Sequence, residues 1–243
     1  MTPAAVDGRP GLAPVAVALD APDLETAASW ARAVGPYVRT VKVGLELFCR
    51  YGAEAVVVAA EASGREVFLD LKLHDIPNTV AGAARAVGSL EPAYLTVHAS
   101  GGAAMIRAAA DAVPGTKVAA VTVLTSLSAT DLDRIGLVGP PLDAVRRLAV
   151  LAVGAGARAL VCSPQEVAAV RAEVGPDVVL ITPGIRPAGG DSAERHDQVR
   201  ITTPEQALAD GADLLVIGRP ITGAADPGAA ARALSLLSSR PGH

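Results

Sequence analysis

Residues 70–75, DLKLHD, place two carboxylates and one ammonium group inside an otherwise apolar stretch. Asp70, Lys72 and Asp75 have mostly apolar neighbours, and a proline follows two residues after Asp75. Burying such groups costs free energy unless they are paired or put to use. The spacing therefore indicates a place where charge has a function.

Lysine is rare in this chain. Of 21 basic residues only three are lysines, at positions 42, 72 and 117. Arginine supplies the other positive charges, and its guanidinium group does not give up a proton. A retained lysine therefore indicates a site that needs an amine able to donate a proton, although chance is the simpler explanation for Lys117 at a strand start.

Short β-branched runs alternate with Ala-rich stretches along the chain. The predicted strands cover residues 15–20, 38–44, 66–72, 93–98, 117–125, 157–163, 178–183 and 214–219. The predicted helices cover residues 23–34, 46–62, 78–90, 102–113, 142–153, 164–174, 204–210 and 226–238. The strands lack polar alternation, as expected of parallel strands covered by helices. The pattern predicts an α/β protein, a single (β/α)8 TIM barrel domain over residues 1–243. The rival fold, an open doubly wound sheet, usually has a GxGxxG turn after its first strand, and this chain has no such turn there.

The carboxyl ends of the strands form the active-site face of such a barrel. The residues predicted at these ends are Asp20, Lys42, Asp70, Lys72, Thr125, Gly218 and Arg219. Asp70 and Lys72 are two apart, so they are predicted to share the inner face of strand 3, roughly 7 Å apart, above an inward Phe68.

Each of these residues also has a structural interpretation. Asp20 is typical of a loop cap, and Lys42 of a side chain that snorkels to water. Asp75 is typical of a negative charge at the start of a helix, and Thr79 of a residue on a helix surface. Four ionisable residues converging from three strands favour the functional interpretation.

Two loops are longer than the others, at residues 126–141 and 184–203. Long loops rich in Gly and Pro within compact domains tend to be lids or disordered segments. The loop after strand 7, 184–203, is therefore a candidate lid.

Composition argues against several classes of function. The formal net charge is −4, so neither nucleic acid nor an anionic membrane is an expected partner. No signal peptide and no run of 18 apolar residues are visible. Cys49 and Cys162 lack CxxC spacing and are interpreted as buried reduced thiols, which predicts a cytoplasmic protein.

The segment DLKLHDIPNT resembles the DxKxxDIxxT signature of the orotidine 5'-monophosphate decarboxylase family. Other segments resemble family motifs in the same order: VALD for the first strand, VKVGLELF for the second, VTVLTS for the fifth, TPGIRP for the seventh and VIGRPIT for the phosphate-binding eighth. The resemblance extends over nearly the whole chain.

The resemblance implies decarboxylation of orotidine 5'-monophosphate (OMP) to UMP, the last step of pyrimidine synthesis, without metal or cofactor. Lys72 would donate the proton that replaces the carboxylate at C6, and Asp70 would lie against that carboxylate. Asp75 and Thr79 would enter from the partner subunit of a homodimer, completing an alternating network of Lys42, Asp70, Lys72 and Asp75.

The resemblance also implies the substrate contacts. Asp20 and Lys42 would hold the ribose hydroxyls, and Thr125 or Ser126 would face the base. The remaining implied contacts are Gln198 of the lid to base and phosphate, Pro183 of the seventh-strand motif, and Arg186, Gly218 and Arg219 at the phosphate.

Two alternatives remain. Metal-dependent sugar-phosphate enzymes resembling 3-keto-L-gulonate-6-phosphate decarboxylase or hexulose-6-phosphate synthase share the DxKxxD framework, but they hold Mg²⁺ with a Glu where this chain has Lys42. A lysine there would repel a divalent cation. The other alternative is a phosphate-binding barrel without catalysis, against which the retention of Asp70, Lys72 and Asp75 argues. His74 and His98 receive no assigned role.

Overall fold

The computed structural model describes residues 11–186 and 202–239. Eight parallel strands form a closed barrel in sequence order, with β1 pairing both β2 and β8. The strands are β1 (Ala13–Ala18), β2 (Val38–Gly44), β3 (Glu66–Leu73), β4 (Tyr94–His98), β5 (Lys117–Val121), β6 (Ala159–Val161), β7 (Val179–Thr182) and β8 (Leu214–Ile217). The predicted (β/α)8 barrel is confirmed, because eight parallel strands close on themselves and each is followed by a helical segment.

Helices surround the barrel. They are α1 (Leu24–Val34), α2 (Leu45–Tyr51), α3 (Ala53–Ser63), α4 (Pro77–Gly88), α5 (Gly102–Ala112), α6 (Ala129–Arg134), α7 (Pro141–Gly154), α8 (Val167–Val174), α9 (Pro204–Ala209), α10 (Arg219–Thr222) and α11 (Pro227–Ser235). Short 3-10 turns cover Ala99–Gly101, Pro164–Glu166 and Leu236–Ser239. Among the described helices, none is long and apolar enough to cross a membrane.

Several predicted elements have other bounds in the structure, and three of these differences have a clear local cause. The helix expected over 46–62 is broken at Gly52, whose φ of 59° and ψ of −136° are not helical. The strand expected over 117–125 ends at Val121, where its partner β6 also ends, so the residues beyond have no strand to pair with. The strand expected over 214–219 ends at Ile217, because Arg219 and Pro220 begin α10.

The loop predicted at residues 126–141 contains a helix. Ser128 caps α6 through a capping box, in which its hydroxyl accepts from the Asp131 N–H and the Asp131 carboxylate accepts from the Ser128 N–H. The signal was visible in the sequence as a serine three residues before an acidic residue.

An interior layer of side chains fills the barrel below the mouth. Phe68 is buried among inward residues of other strands, as predicted, and its ring meets the Tyr94 ring edge-on at 5.7 Å between centroids. The Lys117 ammonium lies 5.4 Å from the centre of the Tyr94 ring. The interior of the barrel is therefore a packed core, and the pocket that the strands enclose opens at their carboxyl ends.

The two cysteines differ in environment. Cys162 is buried as predicted, and burial raises the pKa of its thiol. Cys49 is exposed, so the prediction that it is buried was wrong. Cys49 lies on α2, a short helix with one buried residue, Leu47, which leaves most of its surface facing water.

Candidate active site

The charged residues predicted from the sequence meet at the ends of β2 and β3. The Lys72 ammonium lies 2.7 Å from Asp70 Oδ1, and the Lys42 ammonium lies 3.5 Å from Asp70 Oδ2. Lys42 also lies 3.4 Å from Asp20 Oδ1, just beyond the end of β1. Anion and cation therefore alternate along Asp20, Lys42, Asp70 and Lys72. Within the described ranges, no group of three or more His, Cys, Asp or Glu side chains is placed to hold a metal ion.

The Asp70 carboxyl is kept ionised by its neighbours. Burial raises its pKa, but the ammonium groups of Lys42 and Lys72 lower it, and hydrogen bonds from Lys72 and Thr96 lower it further. The net effect is a pKa below the ordinary aspartate value of 3.8. The site therefore keeps a fixed negative charge beside Lys72 at every pH near neutrality.

The strand carrying Asp70 and Lys72 is not regular. Lys72 has a φ of 50°, a left-handed conformation that is uncommon for residues other than glycine. Both side chains line the mouth as predicted, but the prediction that they do so by simple strand alternation was wrong.

A pocket of about 280 Å³ opens above these charges. Its polar wall contains Asp20, Lys42, Asp70, Lys72, Thr125, Arg186 and Arg219. Its apolar wall contains Ala18, Phe68, Val121, Val123, Leu124, Val161, Cys162 and Val216. A pocket that is partly apolar and carries a few converging charged groups is typical of a small-molecule site.

The ends of β7 and β8 form one side of the pocket. Pro183, Gly184 and Arg186 follow β7, and Gly218 and Arg219 follow β8, and all five line the pocket. A Cβ atom on Gly218 would stand 3.4 Å from the Ala18 Cβ, so a larger side chain would narrow the pocket. The guanidinium groups of Arg186 and Arg219, next to the backbone of Gly218, which has no side chain, suit a phosphate group. Barrels of this type often bind phosphate after strands 7 and 8.

Some predicted site residues lie elsewhere. Asp75, Thr79 and Ser126 are exposed and outside the pocket of the single chain, whereas Thr125 is half-buried in its wall. Gln198 lies outside the described residues, as do residues 187–201 of the predicted lid.

Two contributors to the site were missed by sequence reasoning. Thr96 of β4 is fully buried, and its hydroxyl donates to Asp70 Oδ1 at 3.0 Å and accepts from the Lys72 N–H at 2.8 Å. Gly44 ends β2, where an added Cβ would stand 2.7 Å from Asp20 Oδ1 and 2.9 Å from Lys42 Nζ. Gly44 had a signal, since it lies two residues after Lys42, on the same face of a strand.

The two histidines near the mouth pack against each other. The ring of His98, at the end of β4, lies 5.4 Å from that of His74 between centroids, and neither ring lines the pocket. Burial lowers the pKa of His98, and the neighbouring His74 and Lys72 lower it further. His98 is therefore neutral at pH 7, so it adds no charge to the cluster.

Comparison with known proteins agrees with this architecture. The family model described as Orotidine 5'-phosphate decarboxylase / HUMPS family matches residues 13–234. The chain is similar to orotidine 5'-phosphate decarboxylase of Thermobifida fusca, with 67% identity over 95% of this chain and 97% of the relative, and of Frankia casuarinae, with 58% identity over 96% and 90%. It is also similar to the crystal structure of orotidine 5'-phosphate decarboxylase from Lactobacillus acidophilus, with a TM-score of 0.79 and 36% identity over 94% of this chain and 100% of that chain. The chain therefore belongs to the orotidine 5'-phosphate decarboxylase / HUMPS family.

Proposed function

We propose that this chain decarboxylates OMP to UMP. The observation that carries the proposal is the alternating cluster at the mouth, where Asp70 lies 2.7 Å from the Lys72 ammonium and 3.5 Å from that of Lys42. The relatives at 67% and 58% identity bear the name of this activity and are matched over 97% and 90% of their lengths.

The reaction needs an acid and fixed charges. Loss of CO₂ breaks the bond between C6 and the carboxylate carbon and leaves the electron pair on C6, where no ring carbonyl delocalises it well. Lys72 donates its proton to C6, which yields UMP and a neutral amine that regains a proton from water. Asp70 lies against the departing carboxylate and keeps Lys72 charged until the transfer.

The rest of the pocket holds the nucleotide. Asp20 and Lys42 bind the ribose hydroxyls, and Thr125 or Ser126 faces the base. The proposed phosphate end consists of Pro183, Arg186, Gly218 and Arg219, with Gln198 reaching base and phosphate from the 184–203 loop. Phosphate binding energy closes this lid and orders the site, since remote contacts can contribute to the chemical step.

The sugar-phosphate branch of the family is the competing assignment. In that branch a divalent cation neutralises the carboxylates. In this chain the Lys42 ammonium takes that place, because it lies 3.4 Å from Asp20 and 3.5 Å from Asp70. A second positive charge between the same carboxylates would be repelled.

Turnover after metal removal separates the two branches. The purified chain is treated exhaustively with EDTA, and the fall in ultraviolet absorbance of OMP is followed, with Lys72→Ala as the inactive control. We expect undiminished turnover. OMP turnover lost with EDTA and restored by Mg²⁺ would contradict the metal-free mechanism. No turnover of OMP with or without Mg²⁺ would reject the proposed function and favour the sugar-phosphate branch.

The proposed enzyme is a homodimer that shares its active sites. Asp75 and Thr79 are exposed in the single chain, and their neighbour Ile76 leaves 65% of its surface uncovered. A partner subunit over this segment would bury Ile76 and bring its own cluster of charges to Asp75. Each site would then combine Lys72 of one chain with Asp75 of the other.

Mixing two inactive variants tests this arrangement. Lys72→Ala and Asp75→Asn homodimers should each be nearly inactive, but a heterodimer has one site with both substitutions and one with neither. Random pairing makes half the dimers mixed, so recovered activity should approach about 25% of wild type for a two-fold dimer. If native mass spectrometry detects heterodimers and no activity returns, the shared site is rejected.

A cytoplasmic location is part of the proposal. Cys49 and Cys162 are free thiols, as is usual in a reducing compartment. The net charge of −4 gives no support for nucleic acid or an anionic membrane as a partner.

A further inference from the structure

We infer that Thr96 is a positioning residue for the Asp70–Lys72 pair, and that its hydroxyl fixes the irregular backbone from which Lys72 reaches Asp70. The inference rests on the proposed function, in which this pair carries the chemistry. It concerns a residue that does not line the pocket and that acts through the two groups it holds.

The irregular segment lies opposite Thr96. β3 and β4 pair regularly at Leu69 with Leu95, and pairing resumes at Leu73 with Val97. Three residues of β3, positions 70–72, therefore face a single residue of β4. Bulges of this kind redirect side chains and are frequent beside active sites.

The bulge places Lys72 in an unfavourable backbone conformation. Its φ of 50° crowds the side chain of any residue except glycine, and lysine, unlike asparagine or aspartate, has no short polar side chain that could bond to its own backbone. Such a conformation persists only where the surroundings fix it. Its N–H also falls outside the regular pairing of β3 with β4, so it needs another acceptor.

The Thr96 hydroxyl meets both needs with its two hydrogen-bonding roles. It accepts from the Lys72 N–H at 2.8 Å and donates its single proton to Asp70 Oδ1 at 3.0 Å. The same Oδ1 accepts from the Lys72 ammonium at 2.7 Å. A closed ring of three hydrogen bonds thus joins the backbone of Lys72, Thr96, Asp70 and the amine of Lys72.

This ring requires a hydroxyl at position 96. Thr96 is fully buried, so no water replaces a missing partner without rearrangement. Valine has nearly the same shape but can neither accept from Lys72 nor donate to Asp70. Serine retains both functions and loses only a methyl group.

Kinetics of three variants and hydrogen exchange of the Lys72 amide test the inference. Thr96→Val should lower kcat about 10- to 100-fold, as expected for small losses of orientation, with KM changed less than about threefold. Thr96→Ser should keep kcat within about threefold of wild type. The matched control is Thr122→Val, which removes the buried threonine hydroxyl directly after β5. That hydroxyl donates to the Val161 carbonyl at 3.1 Å, away from Asp70 and Lys72. This variant should leave kcat unchanged.

Hydrogen exchange of the Lys72 amide gives a readout that is independent of activity. The amide should be protected in the unaltered protein and in Thr96→Ser, and it should exchange faster in Thr96→Val. An unprotected Lys72 amide in the unaltered protein would overturn the inference even if Thr96→Val failed to fold. Equal loss of kcat in Thr96→Ser or in Thr122→Val, or normal kcat in Thr96→Val, would also overturn it. If the unaltered protein does not consume OMP, the proposed function fails, while the exchange measurement still decides whether Thr96 holds the Lys72 backbone.

Discussion

Gly44→Ala should reduce catalysis without reducing stability. Gly44 has a φ of −95° and a ψ of −177°, an extended conformation that alanine adopts without strain. Replacing glycine where the backbone allows it limits the freedom of the unfolded chain and raises the free energy of unfolding by about 0.4–1 kcal/mol. The backbone therefore predicts a small gain in stability.

The magnitude of the catalytic loss follows from two contacts. The new Cβ would start 2.7 Å from Asp20 Oδ1 and 2.9 Å from Lys42 Nζ, whereas ordinary contact begins at 3.4 Å. The two polar atoms must therefore retreat by about 0.7 Å and about 0.5 Å. Since a misplacement of about 1 Å can cost about 100-fold, roughly half that displacement predicts a fall of about 10-fold in kcat/KM, or about 1.4 kcal/mol.

The assay compares initial rates of OMP consumption with thermal unfolding. Gly115→Ala is the matched control, because a Cβ at that position meets nothing within 4 Å and its φ is not left-handed; it should leave kcat/KM unchanged. Wild-type kcat/KM in Gly44→Ala would refute the reasoning that the placement of Asp20 and Lys42 limits the reaction. A fall in Tm that accompanies the loss of activity would attribute the loss to folding instead.

Three further predictions concern groups that carry charge. Lys72→Arg should lower kcat by about 10²- to 10⁴-fold with an unchanged circular dichroism spectrum, because a guanidinium keeps the charge but is a poor proton donor; near-normal turnover would reject Lys72 as the acid. Arg219→Ala should raise KM and also lower kcat, because phosphate binding is proposed to close the lid; a rise in KM alone would mean that the phosphate contributes only uniform binding. The Asp70 pKa is lowered on folding, so ionised Asp70 contributes stability above its unfolded pKa, and that contribution is lost as the pH falls through its folded pKa. The difference in free energy of unfolding between wild type and Asp70→Asn, measured in urea, should therefore stay constant from about pH 5 to 8 and shrink below about pH 4. A difference that does not change with pH would contradict the lowered pKa.

The barrel was predictable because its signals are local. Most strands are short apolar runs and most helices are Ala-rich stretches. These patterns arise because each strand is covered by helices and each helix buries one face, so they can be read from each segment alone. Element ends were less predictable. The run 117–125 is strand-like along its whole length, yet β5 stops at Val121 because its neighbour β6 offers no further partners, and this limit is set by another part of the chain.

The site was predictable to the extent that its residues have distinctive types. Asp70 and Lys72 stand out in an apolar strand, but the left-handed backbone at Lys72 has no sequence signal, because lysine is not a residue that favours it. Thr96 looks like any β-branched strand residue, and only its position opposite the bulge in β3 shows that its hydroxyl joins two charged residues.

The distribution of charge between the pocket and the whole chain affects how ligands arrive. The described lining residues include four cations, Lys42, Lys72, Arg186 and Arg219, but only two carboxylates, Asp20 and Asp70, on a chain whose net charge is −4. A cationic cleft on an anionic molecule focuses its electric field outward, so it attracts small anions to one opening while the surface as a whole repels large polyanions. Such attraction extends over about one Debye length, roughly 8–10 Å at physiological ionic strength. Encounter with a small phosphate ester is therefore faster in dilute buffer than in concentrated salt. The electric field thus favours small anions over large polyanions before any contact is made.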